Sequence, residues 1–376
     1  MKKIQMVDLK GQYEAIKETV NNSIQEVLDT NTYINGPQVQ QFQKNLEEYL
    51  DVKHVIPCAN GTDALQIAMM GLDLKPGDEV ITADFTFAAT VEVIALLQLT
   101  PVLVDVDLVN MNISIEAIKK AITPKTKAIV PVHLFGRAAN MEAIMRIAKE
   151  FNLYVIEDNA QAIGANCKFS DGAKLKAGTI GHVGSTSFFP SKNLGCYGDG
   201  GAIFTNDDAL AHKIRGIVNH GMYVRYHHDV VGVNSRLDSI QAAVLNAKLP
   251  LLDQYNTARQ NAARKYSAAF EGHKNIVAPS ICDICDCHVF HQYTLRIIDG
   301  DRDGLMQHLL DNGIPCAIYY PIPLHSQKAY LDARYKEENF PVTNLLAKQV
   351  ISLPMHTELD DEQIKFITDS VLEYLK

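Results

Sequence analysis

The sequence lacks any cluster of lysine and arginine residues, and its formal net charge is −9 at pH 7. A surface of this sign repels nucleic acid and anionic membranes, both of which are negatively charged. No window approaches the roughly 18 consecutive apolar residues of a membrane span. Polar sequence follows Met1-Lys2-Lys3, where a signal peptide has an apolar stretch. We therefore expect no nucleic-acid partner, no membrane partner and a cytoplasmic location.

Cysteine is scarce, with seven residues scattered through the chain. An odd number of cysteines without regular spacing is typical of a protein in a reducing compartment. The exception is Cys282-x-x-Cys285-x-Cys287-His288, which offers four soft ligands in one segment. Structural zinc sites usually pair two such knuckles across a loop, and this chain has one. We therefore favour a surface loop with reduced thiols over a zinc site, and expect no bound metal.

The length of 376 residues suits two domains, or one large domain with an appendage. Between residues 54 and 201, short apolar β-rich runs alternate with amphipathic helical runs. This alternation predicts βαβ units around a mainly parallel sheet, in an α/β fold. The pattern changes near Pro250. We place a large domain at residues 1–250 and a smaller α+β domain at residues 251–376.

One lysine, Lys192, lies between an aromatic lead-in and a glycine-rich turn within residues 187–201. No charged residue lies within six positions of it, and the next one after it is Asp199. Such surroundings favour the neutral amine, which is the form that condenses with a carbonyl to a Schiff base. Because most lysines in loops are simply solvated, this assignment needs support from elsewhere in the chain.

Three further features lie where predicted strands end, at the edge of a parallel sheet where ligands gather. Gly61 and Thr62 begin a helix after the first strand, so backbone N–H groups and the Thr62 hydroxyl can hold a phosphate. The same pattern is also an ordinary helix cap. Asp158 ends an apolar strand, where a carboxylate is costly unless it meets a cation. Ser187 precedes Lys192 by five residues.

Together these groups match what pyridoxal 5′-phosphate (PLP) requires. The cofactor needs an anchor for its phosphate, a carboxylate for its pyridinium nitrogen and an amine for its aldehyde. Phe87 follows another predicted strand and is a candidate to stack on the cofactor ring. The alternative for Phe87 is an ordinary core position, as is usual for an aromatic residue at the end of a strand.

Several motifs in order resemble the DegT/StrS class of sugar-nucleotide aminotransferases, which have the fold type I PLP architecture. They are residues 60–65, 157–161, 187–201, 232–238 and 320–325, so the resemblance covers nearly the whole chain. It implies transfer of an amino group from L-glutamate to a 3-keto nucleotide sugar. The dehydratases and deoxygenating enzymes of the class carry histidine in place of the lysine, so Lys192 argues against them.

The resemblance also implies a role for individual residues. Lys192 binds the cofactor aldehyde, Asp158 faces the pyridinium nitrogen and Gln161 lies beside the ring hydroxyl. The phosphate ligands are Gly61, Thr62 and Ser187. Asn234 reaches the phosphate of the neighbouring subunit's cofactor, which implies a homodimer with shared active sites.

Within the family, residues 188–201 and 225–236 resemble UDP-2-acetamido-2-deoxy-hexuluronate 3-aminotransferases most. The resemblance to these enzymes implies that the protein takes part in the biosynthesis of a cell-surface polysaccharide, such as lipopolysaccharide O-antigen or capsule. Tyr319 is a departure, because they carry histidine at that position. The segment 282–288 has no counterpart in them. Two alternatives stay open: an aminotransferase for a dTDP-keto-6-deoxy sugar, and a PLP-binding regulator without turnover.

Five residues are candidates to bind the substrates: Arg236, Tyr320, His325, His227 and Tyr319. The Arg236 guanidinium can bind a planar carboxylate through two parallel hydrogen bonds, which suits a uronic acid. The alternatives for Arg236 are an inter-subunit salt bridge and the carboxylate of glutamate. For His227 two alternatives stay open: a contact with the nucleotide diphosphate, or an exposed loop position without a role in binding. Tyr320 and His325 flank prolines that fix the backbone presenting them.

Overall fold

The computed structural model describes residues 2–281 and 287–376. The α-helices in these ranges are α1 (Leu9–Thr30), α2 (Pro37–Leu50), α3 (Gly61–Gly71), α4 (Ala89–Leu96), α5 (Ile115–Ala121), α6 (Met141–Phe151), α7 (Asp208–Ile217), α8 (Ser239–Lys248), α9 (Leu252–Phe270), α10 (Arg302–Asp311), α11 (Pro341–Gln349) and α12 (Asp361–Tyr374).

The strands of the first two thirds of the chain are β1 (His54–Cys58), β2 (Glu79–Ala83), β3 (Thr100–Val104), β4 (Thr126–Val130), β5 (Tyr154–Asp158), β6 (Asn166–Lys168), β7 (Lys174–Lys176), β8 (Val183–Ser187), β9 (Gly201–Thr205), β10 (Met222–Val224) and β11 (His227–His228). Those of the last third are β12 (Ile276–Val277), β13 (Tyr293–Ile297) and β14 (Val350–Leu353).

Seven strands form the central sheet in the order β1-β9-β8-β5-β4-β2-β3. β9 pairs antiparallel with both of its neighbours, and the pairs from β8 to β3 are parallel. Because β1 and β8 both oppose β9, they run in the same direction. The carboxyl ends of β1, β5 and β8 therefore meet at one edge, and the predicted mainly parallel sheet is confirmed.

Both faces of this sheet are covered by helices, which explains the unbroken apolar runs of its strands. Successive side chains of a strand point to opposite faces. Val80 packs in a core with α3, α4 and α7, whereas Ile81 packs on the other face with α5 and α6. Ala128 and Ile129 of β4 divide in the same way. Because helices cover both faces, consecutive strand residues such as these are apolar although they point in opposite directions.

The last third of the chain forms an antiparallel sheet in the order β12-β13-β14. Its core combines Leu295 of β13 with side chains of α9, α10 and α12. Ile4, near the start of the chain, packs in the same core, and the Met355 backbone N–H donates to the Met6 carbonyl at 3.2 Å. The predicted boundary at residue 250 falls just before α9 and remains a prediction, since the N-terminal segment belongs to this core.

Two of the residues predicted to form a thiol loop, Cys282 and Cys285, lie outside the described residues. His288 is buried and its Nδ1 accepts a hydrogen bond from the Phe290 backbone N–H at 3.2 Å. Over residues 2–281 and 287–376, no group of three or more His, Cys, Asp or Glu side chains is placed to hold a metal ion. Within those same ranges, no helix has the length and apolar character needed to cross a bilayer.

Candidate active site

A pocket of about 830 Å³ opens at the edge where β1, β5 and β8 end. Its walls come from the loops that follow β1, β2, β4, β5 and β8 and from segments before β13 and after α10. The predicted site residues that line it are Gly61, Thr62, Phe87, Asp158, Gln161, Ser187, Lys192, Tyr319 and Tyr320. Residues far apart in the sequence thus meet in one cavity.

The amino end of α3 forms one wall of this pocket. Asn60 caps the helix, since its Oδ1 accepts a hydrogen bond from the Asp63 backbone N–H at 2.8 Å. Gly61 lies against Ser187 so closely that a Cβ at position 61 would be 2.7 Å from the Ser187 Cβ. The first N–H groups of a helix have no intrahelical acceptor and carry partial positive charge. The wall is therefore suited to an anion such as a phosphate.

Asp158 ends β5 and is 5% exposed. The Thr90 hydroxyl donates to its Oδ2 at 2.7 Å, and the Ala160 backbone N–H donates to its Oδ1 at 3.2 Å. These bonds hold both carboxylate oxygens in a fixed orientation at the pocket wall. A fixed carboxylate in this position favours a cationic group of a bound molecule.

Lys192 lies on the loop between β8 and β9, with its side chain at the pocket. The next residue anchors this loop, because the Asn193 side-chain amide donates to Asn256 Oδ1 at 2.7 Å and to the Val289 carbonyl at 2.9 Å. Burial lowers the pKa of Lys192 to about 8, and the nearby Asp158 opposes that change. Because burial disfavours the charged form, a larger share of this amine is neutral near pH 7 than for an ordinary lysine.

Another wall of the pocket contains Gln161 and Tyr320, which are hydrogen-bonded to each other. The Phe135 backbone N–H donates to Gln161 Oε1 at 2.6 Å, and Gln161 Nε2 donates to the Tyr320 hydroxyl at 3.1 Å. Burial raises the pKa of Tyr320, so its phenol stays protonated. Phe87 is 58% exposed into the open pocket, and its ring centroid is 6.3 Å from that of Tyr320. Phe87 is accordingly not a core residue, and its face is available to a planar ligand.

The structure also brings in residues that the sequence analysis missed. His291 and Gln292 line the pocket just before β13. His291 is 6% exposed, and its Nδ1 has no hydrogen-bond partner among the described residues. Burial, with Lys192 and Arg259 nearby, holds the pKa of His291 well below its usual range, so the imidazole is neutral. The feature of the sequence that could have predicted them is a polar pair, His291-Gln292, directly before the buried strand β13.

His325, a predicted substrate contact, does not line the pocket formed by the described residues of this chain. Its backbone N–H donates to Asp84 Oδ1 at 2.7 Å, and its Nδ1 lies 2.6 Å from Asp84 Oδ2. Its ring stacks on Phe340 at 4.4 Å between centroids. Burial raises the pKa of Asp84, and the hydrogen bonds from His325 oppose that effect. The imidazole is turned toward the protein by this carboxylate.

The three remaining predicted residues lie away from the pocket formed by the described residues of their own chain. Asn234 is exposed beside Asn219, with which it forms an isolated antiparallel bridge. His227 is exposed on the β10–β11 hairpin, and Arg236 is half-buried before α8. Their contacts with cofactor and substrate therefore stay predictions, which for Asn234 involve a second subunit.

The sequence of the chain matches the model of the DegT/DnrJ/EryC1/StrS aminotransferase family over residues 14–372. It is 46% identical to the UDP-2-acetamido-2-deoxy-3-oxo-D-glucuronate aminotransferase of Pseudomonas aeruginosa, covering 97% of this chain and 98% of the relative. It is 44% identical to the UDP-N-acetyl-3-dehydro-alpha-D-glucosamine 3-aminotransferase of Acidithiobacillus ferrooxidans, covering 96% and 95%. A protein of Geobacillus stearothermophilus called pleiotropic regulatory protein is also 44% identical, covering 99% of each chain.

The fold agrees with these sequence relatives. The solved structure of NtdA from Bacillus subtilis with bound cofactor PMP superposes with a TM-score of 0.88 at 31% identity, covering 96% of this chain and 82% of that one. The expected fold type I architecture is thereby confirmed. The chain therefore belongs to the DegT/DnrJ/EryC1/StrS aminotransferase family and is a PLP-dependent aminotransferase.

Proposed function

We propose that the enzyme transfers the amino group of L-glutamate to the 3-keto group of a UDP-2-acetamido-2-deoxy-hexuronic acid. The observation that carries this proposal is the meeting of Lys192, Asp158 and the amino end of α3 in one pocket. The relative from Pseudomonas aeruginosa, named for a 3-oxo-glucuronate substrate, supports the choice of sugar. Transfer of a labelled amine from glutamate to that UDP-sugar tests the proposal directly.

The residues present fit PLP. A phosphate matches the start of α3, where Gly61 lies too close to Ser187 for a side chain to fill the space. Asp158 supplies the fixed carboxylate for the ring nitrogen, and Phe87 supplies an exposed aromatic face. Gln161 keeps an N–H available toward the pocket after donating to Tyr320. When bound, PLP supplies the electron sink that makes the α-proton of an amino acid acidic.

The chain's own residues then move and hold the protons. With PLP bound, Lys192 would hold the cofactor aldehyde. The free Nζ would accept the proton from Cα of glutamate, a role for which its lowered pKa suits it. The Asp158 carboxylate would face the ring nitrogen, and Thr90 and Ala160 hold its oxygens in place by donating hydrogen bonds to them. The same groups act in the return half-reaction with the keto sugar.

We further propose a homodimer in which Asn234 of one subunit reaches the phosphate site of the other. Large apolar side chains are exposed at the pocket mouth and on the hairpin, including Phe87 at 58%, Phe189 at 52% and Tyr226 at 76%. Large exposed apolar side chains are typical of an association surface. In the proposed dimer, the second subunit covers the pocket mouth and brings its own Asn234, Arg236 and His227 toward the pocket.

Mixing two inactive variants tests the shared site. Lys192→Ala and Asn234→Ala homodimers each lack an essential group in both sites. A hybrid dimer contains one site with neither change, because Lys192 and Asn234 come from different chains. With random subunit exchange at equal amounts, activity should recover to about a quarter of the wild-type value. Subunit exchange shown by mass spectrometry without any recovery contradicts action in trans.

Arg236 is the proposed ligand for the carboxylate at C6 of the sugar, and Tyr319, Tyr320 and His227 are proposed to complete the substrate site. Replacing Arg236 with lysine retains the charge but removes the planar fork that pairs with a carboxylate. We expect Arg236→Lys to slow the half-reaction with the keto-uronate by about 10- to 100-fold, corresponding to one charge-assisted hydrogen bond. The glutamate half-reaction should change far less, as measured by single-turnover absorbance.

The neutral UDP-3-keto-N-acetylglucosamine is the matched control substrate, because it carries a hydroxymethyl group in place of the carboxylate. The wild-type enzyme should prefer the uronate, and Arg236→Lys should lose most of that preference. Equal losses in both half-reactions point to the donor carboxylate or to the subunit interface instead. A wild-type preference for the neutral sugar, or for a dTDP-keto-6-deoxy sugar, contradicts the uronate proposal.

We infer that the product, an activated amino uronic acid, is used in cytoplasmic steps of lipopolysaccharide O-antigen or capsule assembly. The relative named as a regulatory protein favours one other candidate, a PLP-binding regulator. The neutral fraction of Lys192 and the open pocket favour turnover over binding alone. Catalytic turnover with glutamate and a UDP-keto sugar distinguishes the two functions.

A further inference from the structure

A buried pair, Asp84 and His325, joins two walls of the active-site pocket. Asp84 directly follows β2 and leads into the loop that carries Thr86 and Phe87, both of which line the pocket. His325 follows the segment that carries Tyr320. Both oxygens of Asp84 are engaged by His325, at 2.7 Å to its backbone N–H and 2.6 Å to its Nδ1. The pair therefore ties one wall to the other across 241 residues of sequence.

The surroundings of the pair leave it little freedom. Asp84 is fully buried and His325 is 6% exposed. The Leu324 backbone N–H donates to the Asp84 carbonyl at 3.3 Å, which adds a main-chain tie between the same segments. Phe340 covers the imidazole by stacking at 4.4 Å between centroids. A contact this enclosed fixes the position of the backbone on either side of it.

Tyr320 lines the pocket and also packs against Phe85, the residue next to Asp84. Its ring packs against Phe85 at 6.1 Å and Phe135 at 6.4 Å between centroids. Its hydroxyl accepts the hydrogen bond from Gln161 Nε2 at 3.1 Å. Since the Phe135 backbone N–H donates to Gln161 Oε1, the amide orientation is fixed and its second N–H is left for the pocket. A displaced Tyr320 would release this amide.

We propose that Asp84 and His325 form a positioning contact for transamination, which holds Tyr320 against Gln161 and thereby orients the Gln161 amide toward the cofactor. The proposal rests on the proposed role of Gln161 beside the ring hydroxyl. Neither Asp84 nor His325 touches the reacting atoms. Their effect on the reaction passes through Tyr320, so it should appear in the spectrum of the bound cofactor as well as in rates.

The test compares His325→Phe with wild-type holoenzyme. Phenylalanine keeps the stack on Phe340 but lacks the nitrogen that contacts Asp84. We expect a changed visible absorbance spectrum of the enzyme-bound cofactor and a loss of about tenfold in both half-reactions, as for one misplaced hydrogen bond. His325→Asn should restore the wild-type spectrum, because its side-chain amide can donate from nearly the position of Nδ1.

Thr343→Val is the matched structural control. Asp105, just beyond the neighbouring strand β3, accepts hydrogen bonds from the Thr343 backbone N–H and hydroxyl, both at 2.8 Å, in a second tie between a strand end and a later segment. Neither residue lines the pocket formed by the described residues. This variant should lower the melting temperature while leaving the cofactor spectrum unchanged. A His325→Phe enzyme that behaves in the same way overturns the proposal.

A double-mutant cycle with Tyr320→Phe provides the decisive measurement. Tyr320→Phe removes the hydroxyl that accepts from Gln161, so adding His325→Phe should change the spectrum no further. Additive changes overturn the proposal, as does a His325→Phe enzyme slowed only with the keto sugar, which indicates a substrate contact. A wild-type spectrum in Gln161→Ala refutes the role of Gln161 and the proposal together. Failure to aminate the proposed sugar, with the spectral effects intact, refutes the substrate assignment alone.

Discussion

Replacing Lys192 with alanine is expected to abolish the yellow colour of the holoenzyme and to reduce transamination by more than about 10³-fold. The variant loses both the amine that binds the cofactor aldehyde and the base that accepts the α-proton, and a positioned base alone contributes about 10²–10⁴-fold. No other lysine lines the pocket among the described residues. Absorbance spectra and steady-state amine transfer measure the two losses separately.

Lys248 offers a matched control because it is also a buried lysine beside the same loop. Its Nζ donates to the Gly195 carbonyl at 2.8 Å, and burial lowers its pKa to about 8. Lys248→Met should keep the colour and most of the activity, although the buried carbonyl left unpaired costs roughly 1–3 kcal/mol of stability. Substantial transamination by Lys192→Ala, or loss of colour in Lys248→Met alone, contradicts the assignment.

The central sheet was predictable because its strands are buried on both faces. Such strands are apolar at successive positions, as Val80 and Ile81 show by packing into different cores. The order of the strands was not predictable by the same argument. β9 inserts antiparallel between β1 and β8, and that pairing joins Cys58 to Gly201 across more than a hundred residues. Local sequence carries no record of such a partner.

The residues of the site differ in the same way. Some could be predicted from the local sequence, whereas others depend on residues that are remote in the sequence. Asp158 and Ser187 were identifiable because each ends a strand of a parallel sheet, where the fold gathers ligands. The orientation of His325 depends on Asp84, which is remote in sequence and could not be predicted as its partner. His291 was missed because it belongs to a segment assigned to the smaller domain. The role proposed for Asn234 depends on a second subunit, which the sequence of one chain does not place.

The second large effect is expected for Asp158→Asn. Asparagine matches the carboxylate in shape but carries no charge to keep the cofactor's ring nitrogen protonated, so the electron sink weakens. We expect kcat to fall by about 10²-fold, or roughly 3 kcal/mol of transition-state stabilisation, as for a buried charge-assisted bond. Cofactor should still bind, since the phosphate wall at Gly61 and the amine of Lys192 are unchanged.

Glu157→Gln is the matched control, because this adjacent carboxylate of β5 faces away from the pocket. Glu157 is fully buried and accepts hydrogen bonds from the Gly178 backbone N–H at 2.8 Å and the Ile180 backbone N–H at 2.6 Å. Its substitution should lower the melting temperature without a comparable fall in kcat. If Asp158→Asn retains near-normal kcat at full cofactor occupancy, the Asp158 carboxylate does not face the ring nitrogen, and the electrostatic part of the proposed mechanism fails.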